Sequence, residues 1–454
     1  MKFRSRRDFL SLAGRALSAG AAGFCFERLG LVNALAQSSS DCGDYKALVC
    51  VFLFGGNDST NMVVPVQGPQ SYAGYARIRG PLALPEAQLQ MIQSRGGSAV
   101  YGLHPRLGDL KTAYEQGRLA VVLNVGTLVG PLTKEEYTRP GAALPGNLFS
   151  HSDQQSQWQT SSPSIMTPTG WAGRVADRLQ RCNTPATFPV VLSVTGNSVF
   201  GNGEQTRLAT LTPNAAMGLQ GMGQAPNPRY NAFNQLLEFD GGVALVKAAN
   251  QIAAAGMNDA ALVNKALSAQ TRITTPFPNT PLGQQLRTVA RIIEARGTMG
   301  LRRQVFFCSL GGFDTHQNQL GTHDSLMNQV GPALAAFFNA TVELGEAERV
   351  TTFTASEFGR TAQPNSNNGS DHAWGGHHFV LGGAVKGGDT YGRYPDLTLG
   401  GPDDANVRGV FIPTTGLDQY NATLAAWFGV SSSELAQVFP NLARFQSPNL
   451  GFMG

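Results

Sequence analysis

Residues 47–59 read ALVCVFLFGGNDS, an unbroken apolar run that stops at two glycines and then turns polar. With no polar residue at alternate positions, 47–54 suits a strand covered on both faces, as in a parallel sheet between helices. The two glycines mark a tight turn, and Asn57, Asp58 and Ser59 put polar groups just beyond it. Further apolar runs of this kind are Leu119 to Val125, Pro189 to Val194, Gln304 to Leu310, Val350 to Ala355 and Phe379 to Leu381. Between them, Arg106 to Gln116, Trp171 to Arg181, Leu282 to Arg296 and Ser325 to Leu344 carry helical spacing. Such alternation predicts an α/β fold, a three-layer α/β/α sandwich on a mostly parallel central sheet. Residues 37–454 read as a single domain. The stretch at about 196–281 breaks the rhythm with Asn, Gly, Pro and Gln before an Ala-rich helical pair, and reads as an insertion capping one end of the sheet.

Residues 1–36 have the form of a cleavable export signal, with a basic start, an apolar middle and a small-x-small end at Ala34-Leu35-Ala36. Ser5-Arg6-Arg7-Asp8-Phe9-Leu10 is the twin-arginine form, which predicts passage of the folded chain through the twin-arginine machinery to a periplasmic or secreted location. Phe24 before Cys25 argues against lipidation, so no stable membrane anchor is expected. The signal holds Lys2, Arg4, Arg6, Arg7, Arg15 and Arg28 against Asp8 and Glu27, which accounts for the whole formal charge of +4. What remains is near neutral, with no basic stripe for nucleic acid. Cys42, Cys50, Cys182 and Cys308 show no CxxC spacing, which excludes an iron–sulfur or zinc-ribbon site. Cys50 and Cys308 lie in strand-like apolar runs, and Cys42 with Cys182 is the pair open to bridging in an oxidising compartment.

In a sheet of this kind ligands bind outside the carboxyl ends of the strands. The chemistry-bearing residues fall there. The first run ends at Asp58, the fourth at Asp314-Thr315-His316, the fifth at Glu357-Phe358-Gly359-Arg360, and the last is expected to follow Asp371-His372-Ala373-Trp374-Gly375-Gly376-His377-His378. Carboxylates and imidazoles converging from distant segments predict a site for one or two divalent cations, whether zinc, calcium, magnesium or manganese. Asp314 and His316, two apart on extended chain, face the same way. Asp58 also suits a turn or helix cap, and Glu357 is either a ligand or a partner of Arg360. Asp371, His372, His377 and His378 cannot all bind the cation directly, so some of them orient the others.

Four ordered blocks, FLFGGNDSTNMVVP (52–65), NLFSHSDQQSQWQT (147–160), SLGGFDTHQNQ (309–319) and TASEFGRTAQPNSNNGSDHAWGGHHFVLGGAVKGG (354–388), resemble the exported bacterial family catalogued as domain of unknown function 1501. That family is similar to a distant branch of the alkaline phosphatase and sulfatase superfamily. The resemblance implies an alkaline-phosphatase-like fold and metal-centred hydrolysis of phosphate or sulfate esters, the substrate being a small molecule or a polymer. It carries Asp58, Asp314 with His316, and His377 or His378 over as ligands. It makes Ser150 at a helix start the nucleophile, with Ser152 behind it and His151 as a ligand or acid/base; on the enzyme reading Arg360 binds the substrate anion through its planar fork. A serine at that position equally reads as a helix cap. The chain departs from the superfamily in its closely spaced D-x-H pair and in having Glu357-Phe358 where Asp-His is usual. It also lacks the C-x-P-S-R context of a formylglycine sulfatase. A non-catalytic, metal-binding periplasmic binding or assembly protein on the same fold is the alternative. A redox enzyme is disfavoured by the absence of clustered cysteines and of a GxGxxG loop.

Overall fold

The apolar run at 47–54 forms β1 (Lys46–Leu53), every residue after Lys46 buried, at the centre of the sheet. The structure, a computed structural model, describes residues 42–454 except 98, 164–166, 187, 214 and 220–226, so the export signal expected at 1–36 lies outside the described residues. After β1, the strands β2 (Val63–Gln67), β3 (Gln90–Gln93) and β4 (Val100–Leu103) make a small antiparallel sheet of their own. The main sheet continues with β5 (Leu119–Gly126), β6 (Val191–Ser193), β7 (Leu208–Thr210), β8 (Arg303–Leu310), β9 (Val350–Ala355), β10 (Gly376–Gly382), β11 (Asp389–Tyr391) and β12 (Thr415–Gly416). Its order is β11-β5-β10-β9-β1-β8-β6-β7, with β12 on the free end of β5. Every pairing is parallel except those of β10, which runs antiparallel to both β5 and β9.

Alternation along the strands feeds two cores, because successive side chains of a strand point to opposite faces. Val49, Val51, Phe306 and Cys308 join one core with the helices Pro281–Glu294 and Gln319–Glu343. Leu48, Cys50, Val305 and Phe307 join the other with the helices Trp171–Leu179 and Leu417–Phe428. The fold is thus an α/β/α sandwich on a mostly parallel sheet. Residues 196–281 supply the edge strand β7 and the helices Pro228–Glu238 and Ala244–Ser268, on or between which Leu236, Phe239 and Leu245 are exposed. Among the described residues no helix is long and apolar enough to cross a membrane. Cys42 and Cys182 form a disulfide with Cα atoms 5.1 Å apart, and Cys50 and Cys308 are buried free thiols.

One expectation is corrected here. β10 begins at Gly376, so His377 and His378 lie inside the strand instead of before it. Both are buried, and their rings go to opposite faces: His377 packs on Tyr394, a residue of the first core, and His378 lies between Trp158 and Tyr420 of the second.

Candidate metal centre

The reversed direction of β10 brings Asp371 to Gly375 to the edge where β1, β8 and β9 end, since an antiparallel strand starts where its neighbours finish. There the segments at 359–361 and 371–374 pair as a short ribbon, with Thr361 N–H on Asp371 O, Ala373 N–H on Gly359 O and Gly359 N–H on Trp374 O. The end of β1 crosses the end of β8 so closely that a side chain on Gly55, at φ +119°, would meet the Asp314 backbone nitrogen at 2.3 Å. Glycine alone fits that crossing. The fourth contribution is the helix His151–Thr160, whose first residue faces the same edge.

Three imidazoles converge there, and in each the Nδ1 atom is held by an acceptor. His316 Nδ1 lies 3.1 Å from Asp371 Oδ1, His372 Nδ1 2.8 Å from the Phe149 carbonyl, and His151 Nδ1 2.9 Å from Glu357 Oε1. Carboxylates and carbonyls only accept, so each Nδ1 donates and Nε2 is the ring nitrogen left to face the cluster. These Nε2 atoms face one another and Asp314. His316 Nε2 stands 3.1 Å from His372 Nε2; Asp314 Oδ1 is 3.0 Å from the first and 3.3 Å from the second. His151 Nε2 is buried without a hydrogen-bond partner, 3.5 Å from Asp314 Oδ2. His151, Asp314 and His372 each offer a ligand atom, all within 4.8 Å of one another. His316 Nε2 adjoins this group through Asp314 and His372, and nitrogen and oxygen atoms gathered in this way make a candidate cation site.

The surroundings tune these groups. Burial alone would raise the Asp314 carboxyl, but the Arg360 guanidinium bonded to it at 2.7 Å, with His316 and His151, holds it below the ordinary carboxylate range. Burial would likewise raise Asp371, yet Asn365, Arg408 and His316 bring it down to about 2. Burial pushes His372 below the ordinary imidazole value, against the Phe149 carbonyl that favours its charged form. Phe149 itself holds a left-handed φ of +71°, a strained state for an aromatic residue, and that backbone presents its carbonyl to His372.

Of the residues expected from sequence, the structure brings His151, Asp314, His316 and His372 together, with Asp371 behind His316. Glu357 is fully buried, on the far side of the His151 ring from Nε2. Arg360 is also fully buried and spends its donors on Asp314, Gly55 O and Ser370, so it holds Asp314 in place and leaves no open fork for a substrate anion. Ser150 stands at the helix start, but its hydroxyl donates to Asp153 at 2.6 Å and contacts Ser152 at 3.2 Å. Trp374 packs in the wall and donates to Thr127 O.

Asp58, His377 and His378 are not brought to the cluster. Asp58 pairs with Arg79, both side chains fully buried, accepts from Gln319 and caps the short helix Ser59–Met62. His377 Nδ1 accepts from Asn124 N–H at 3.0 Å in the core. Sequence reasoning missed Phe149, Gln155, Asn365 and Arg408. Asn365 lay within a quoted block between the paired segments; Arg408, which reaches Asp371 at 2.6 Å, carried no local signal.

The sequence matches the family described as "Protein of unknown function (DUF1501)" over residues 45–405. No curated protein matches it. Among solved structures it is similar to Ps i-CgsB in complex with k-i-k-neocarrahexaose, at TM-score 0.38 and 7% identity over 89% of this chain and 77% of that one. It is also similar to the PsFucS1 sulfatase from Pseudoalteromonas sp., at TM-score 0.32 and 9% identity over 89% and 76%. A mutant of alkaline phosphatase PafA gives TM-score 0.29 and 12% identity over 70% and 64%. At these scores the likeness carries nothing about the site or its reaction.

Proposed function

The chain belongs to the DUF1501 family, and we propose that it is an exported, metal-dependent hydrolase of phosphate or sulfate esters with a divalent cation held by His151, Asp314, His316 and His372. The observation that carries this is the gathering of the His151, His316 and His372 Nε2 atoms about the Asp314 carboxylate, with each imidazole braced at Nδ1. A donor set of three nitrogens and one oxygen suits zinc or a similar ion better than calcium or magnesium, which favour oxygen. A cation bound there supplies Lewis-acid polarisation of an ester oxygen. The chain's own residues do the rest. Arg360 anchors Asp314, Asp371 and Arg408 orient His316, and the Phe149 carbonyl orients His372. Asp314 and His316 are each about two-fifths exposed, which leaves the cluster open to either a small or a polymeric ester. The ester class follows from the motif resemblance. Export is supported by the twin-arginine form at 5–10 and by the Cys42–Cys182 disulfide, a bond that persists in oxidising compartments.

One observation favours a second reading, a metal-binding protein without catalysis: the Ser150 hydroxyl is committed to Asp153. Elemental analysis of the purified chain, followed by turnover of chromogenic phosphate monoester, phosphate diester and sulfate ester, tests both. Bound metal with hydrolysis that disappears in Asp314→Ala supports the hydrolase. Bound metal with no turnover of any ester selects the second reading, and a chain that binds no metal sinks both.

A further inference from the structure

Glu357 follows β9 directly, and its carboxylate is fully buried. Its Oε1 collects three donors: Gly55 N–H at 2.8 Å, Gln155 Nε2 at 2.8 Å and His151 Nδ1 at 2.9 Å. Gly55 is held in place by its close crossing with Asp314, and Gln155 lies one helical turn beyond His151, so that both side chains reach the same oxygen. Among the described residues no Arg or Lys pairs with Glu357, and the titratable group on its carboxylate is His151. A buried carboxylate without Arg or Lys needs positive charge delivered some other way. The His151 ring leads from Glu357 to the unpartnered Nε2 that faces Asp314.

We propose that Glu357 is the positioning residue of this site: it locks His151 as the Nδ1–H tautomer, aims Nε2 at the cation, and does not itself bind the cation. The functional part of this rests on the metal reading above, while the tautomer follows from the hydrogen bond whether or not a metal binds. A carboxylate behind a metal-binding imidazole fixes the ring and raises its basicity. Oε1 is already taken by three donors, and Oε2 faces the Ser356 hydroxyl at 3.4 Å.

Two measurements on the full mature chain test it. Two-bond proton–nitrogen correlation spectra, with His151 assigned through His151→Gln, should show the Nδ1–H tautomer in the metal-free wild type. An Nε2–H tautomer overturns the proposal, and this reading needs no folded Glu357 variant. Calorimetric titration with zinc against a competing chelator should show about 10- to 100-fold weaker binding in Glu357→Gln. In a His151→Ala background the same change should alter affinity less than about twofold, because the two residues act as one unit. A further loss of about tenfold or more in that background would make Glu357 a ligand and overturn the proposal. Failure of the wild type to bind zinc would sink the metal reading and leave the spectra to decide the role of Glu357.

Discussion

His316 and His372 point their Nε2 atoms at each other across 3.1 Å, although each ring already gives its Nδ1 hydrogen to an acceptor. That relationship makes both rings reporters of a bound cation. His372→Ala or His316→Ala should lower metal affinity by at least the ~10- to 100-fold that losing a supporting partner costs, with esterase activity falling in parallel. His377→Asn and His378→Asn should leave the metal content of folded protein unchanged, because both rings lie in the sheet's cores. Elemental analysis of the four variants checks this, and loss of metal in the His377 variant alone would contradict it.

Asp58 and Arg79 form an ion pair with no solvent contact, and Asp58 also accepts from Gln319. Removing one partner of a buried pair leaves the other charge stranded, at a cost of about 3–5 kcal/mol. Urea denaturation of Asp58→Ala should show that loss, while the folded fraction keeps its metal. A stable variant that has lost the metal would instead make Asp58 a ligand.

Asp418 is buried, its Oδ2 has no hydrogen-bond partner, and burial pushes its carboxyl up to about 7 against the pull of Ser161 and Arg174. Its folded value lies above its unfolded one, so between about pH 4 and pH 7 the folded state binds the extra proton, and this group's contribution to stability falls as pH rises through that window. Asp418→Asn mimics the neutral form. It should match the wild type near pH 4 and exceed its stability by up to about 4 kcal/mol above pH 7. Unfolding midpoints across that range read the difference; a constant offset at all pH values would refute it.

Gly55→Ala should both destabilise the chain and weaken the metal site, since its new methyl would strike the Asp314 backbone and its φ of +119° is strained for any L side chain. Gly141→Ala is the control: it also has positive φ but lies in open space. The control should cost only the strain, about 1–3 kcal/mol, with metal affinity intact. Equal metal affinity in the two variants would argue against the crossing.

The strand runs and the D-x-H turn were legible because both are local: burial follows periodicity, and two side chains two apart on extended chain share a side. His377 and His378 misled for a related reason. Read as the turn before the last strand, they were expected to offer a ligand, yet they lie inside β10, where neighbours go to opposite faces. Glu357 was recognised as chemically active but not as the brace of His151, because that partner lies 206 positions away in sequence. Cys42 and Cys182 could be named as a pair but not joined from spacing, as their 5.1 Å approach depends on how the chain between them folds.

By itself the sequence determined the buried strands, the two helix layers and the edge at which carboxylates and imidazoles gather, since these depend on apolar patterning and on turn residues at strand ends. Which of those groups meet was decided only by the tertiary structure. Strand order sets β9, β1 and β8 side by side, and the antiparallel direction of β10 delivers Asp371 and His372 to their carboxyl ends. The helix start then brings His151 in from the other half of the chain. A donor cluster is a property of distances between segments remote in sequence, and packing alone sets those distances.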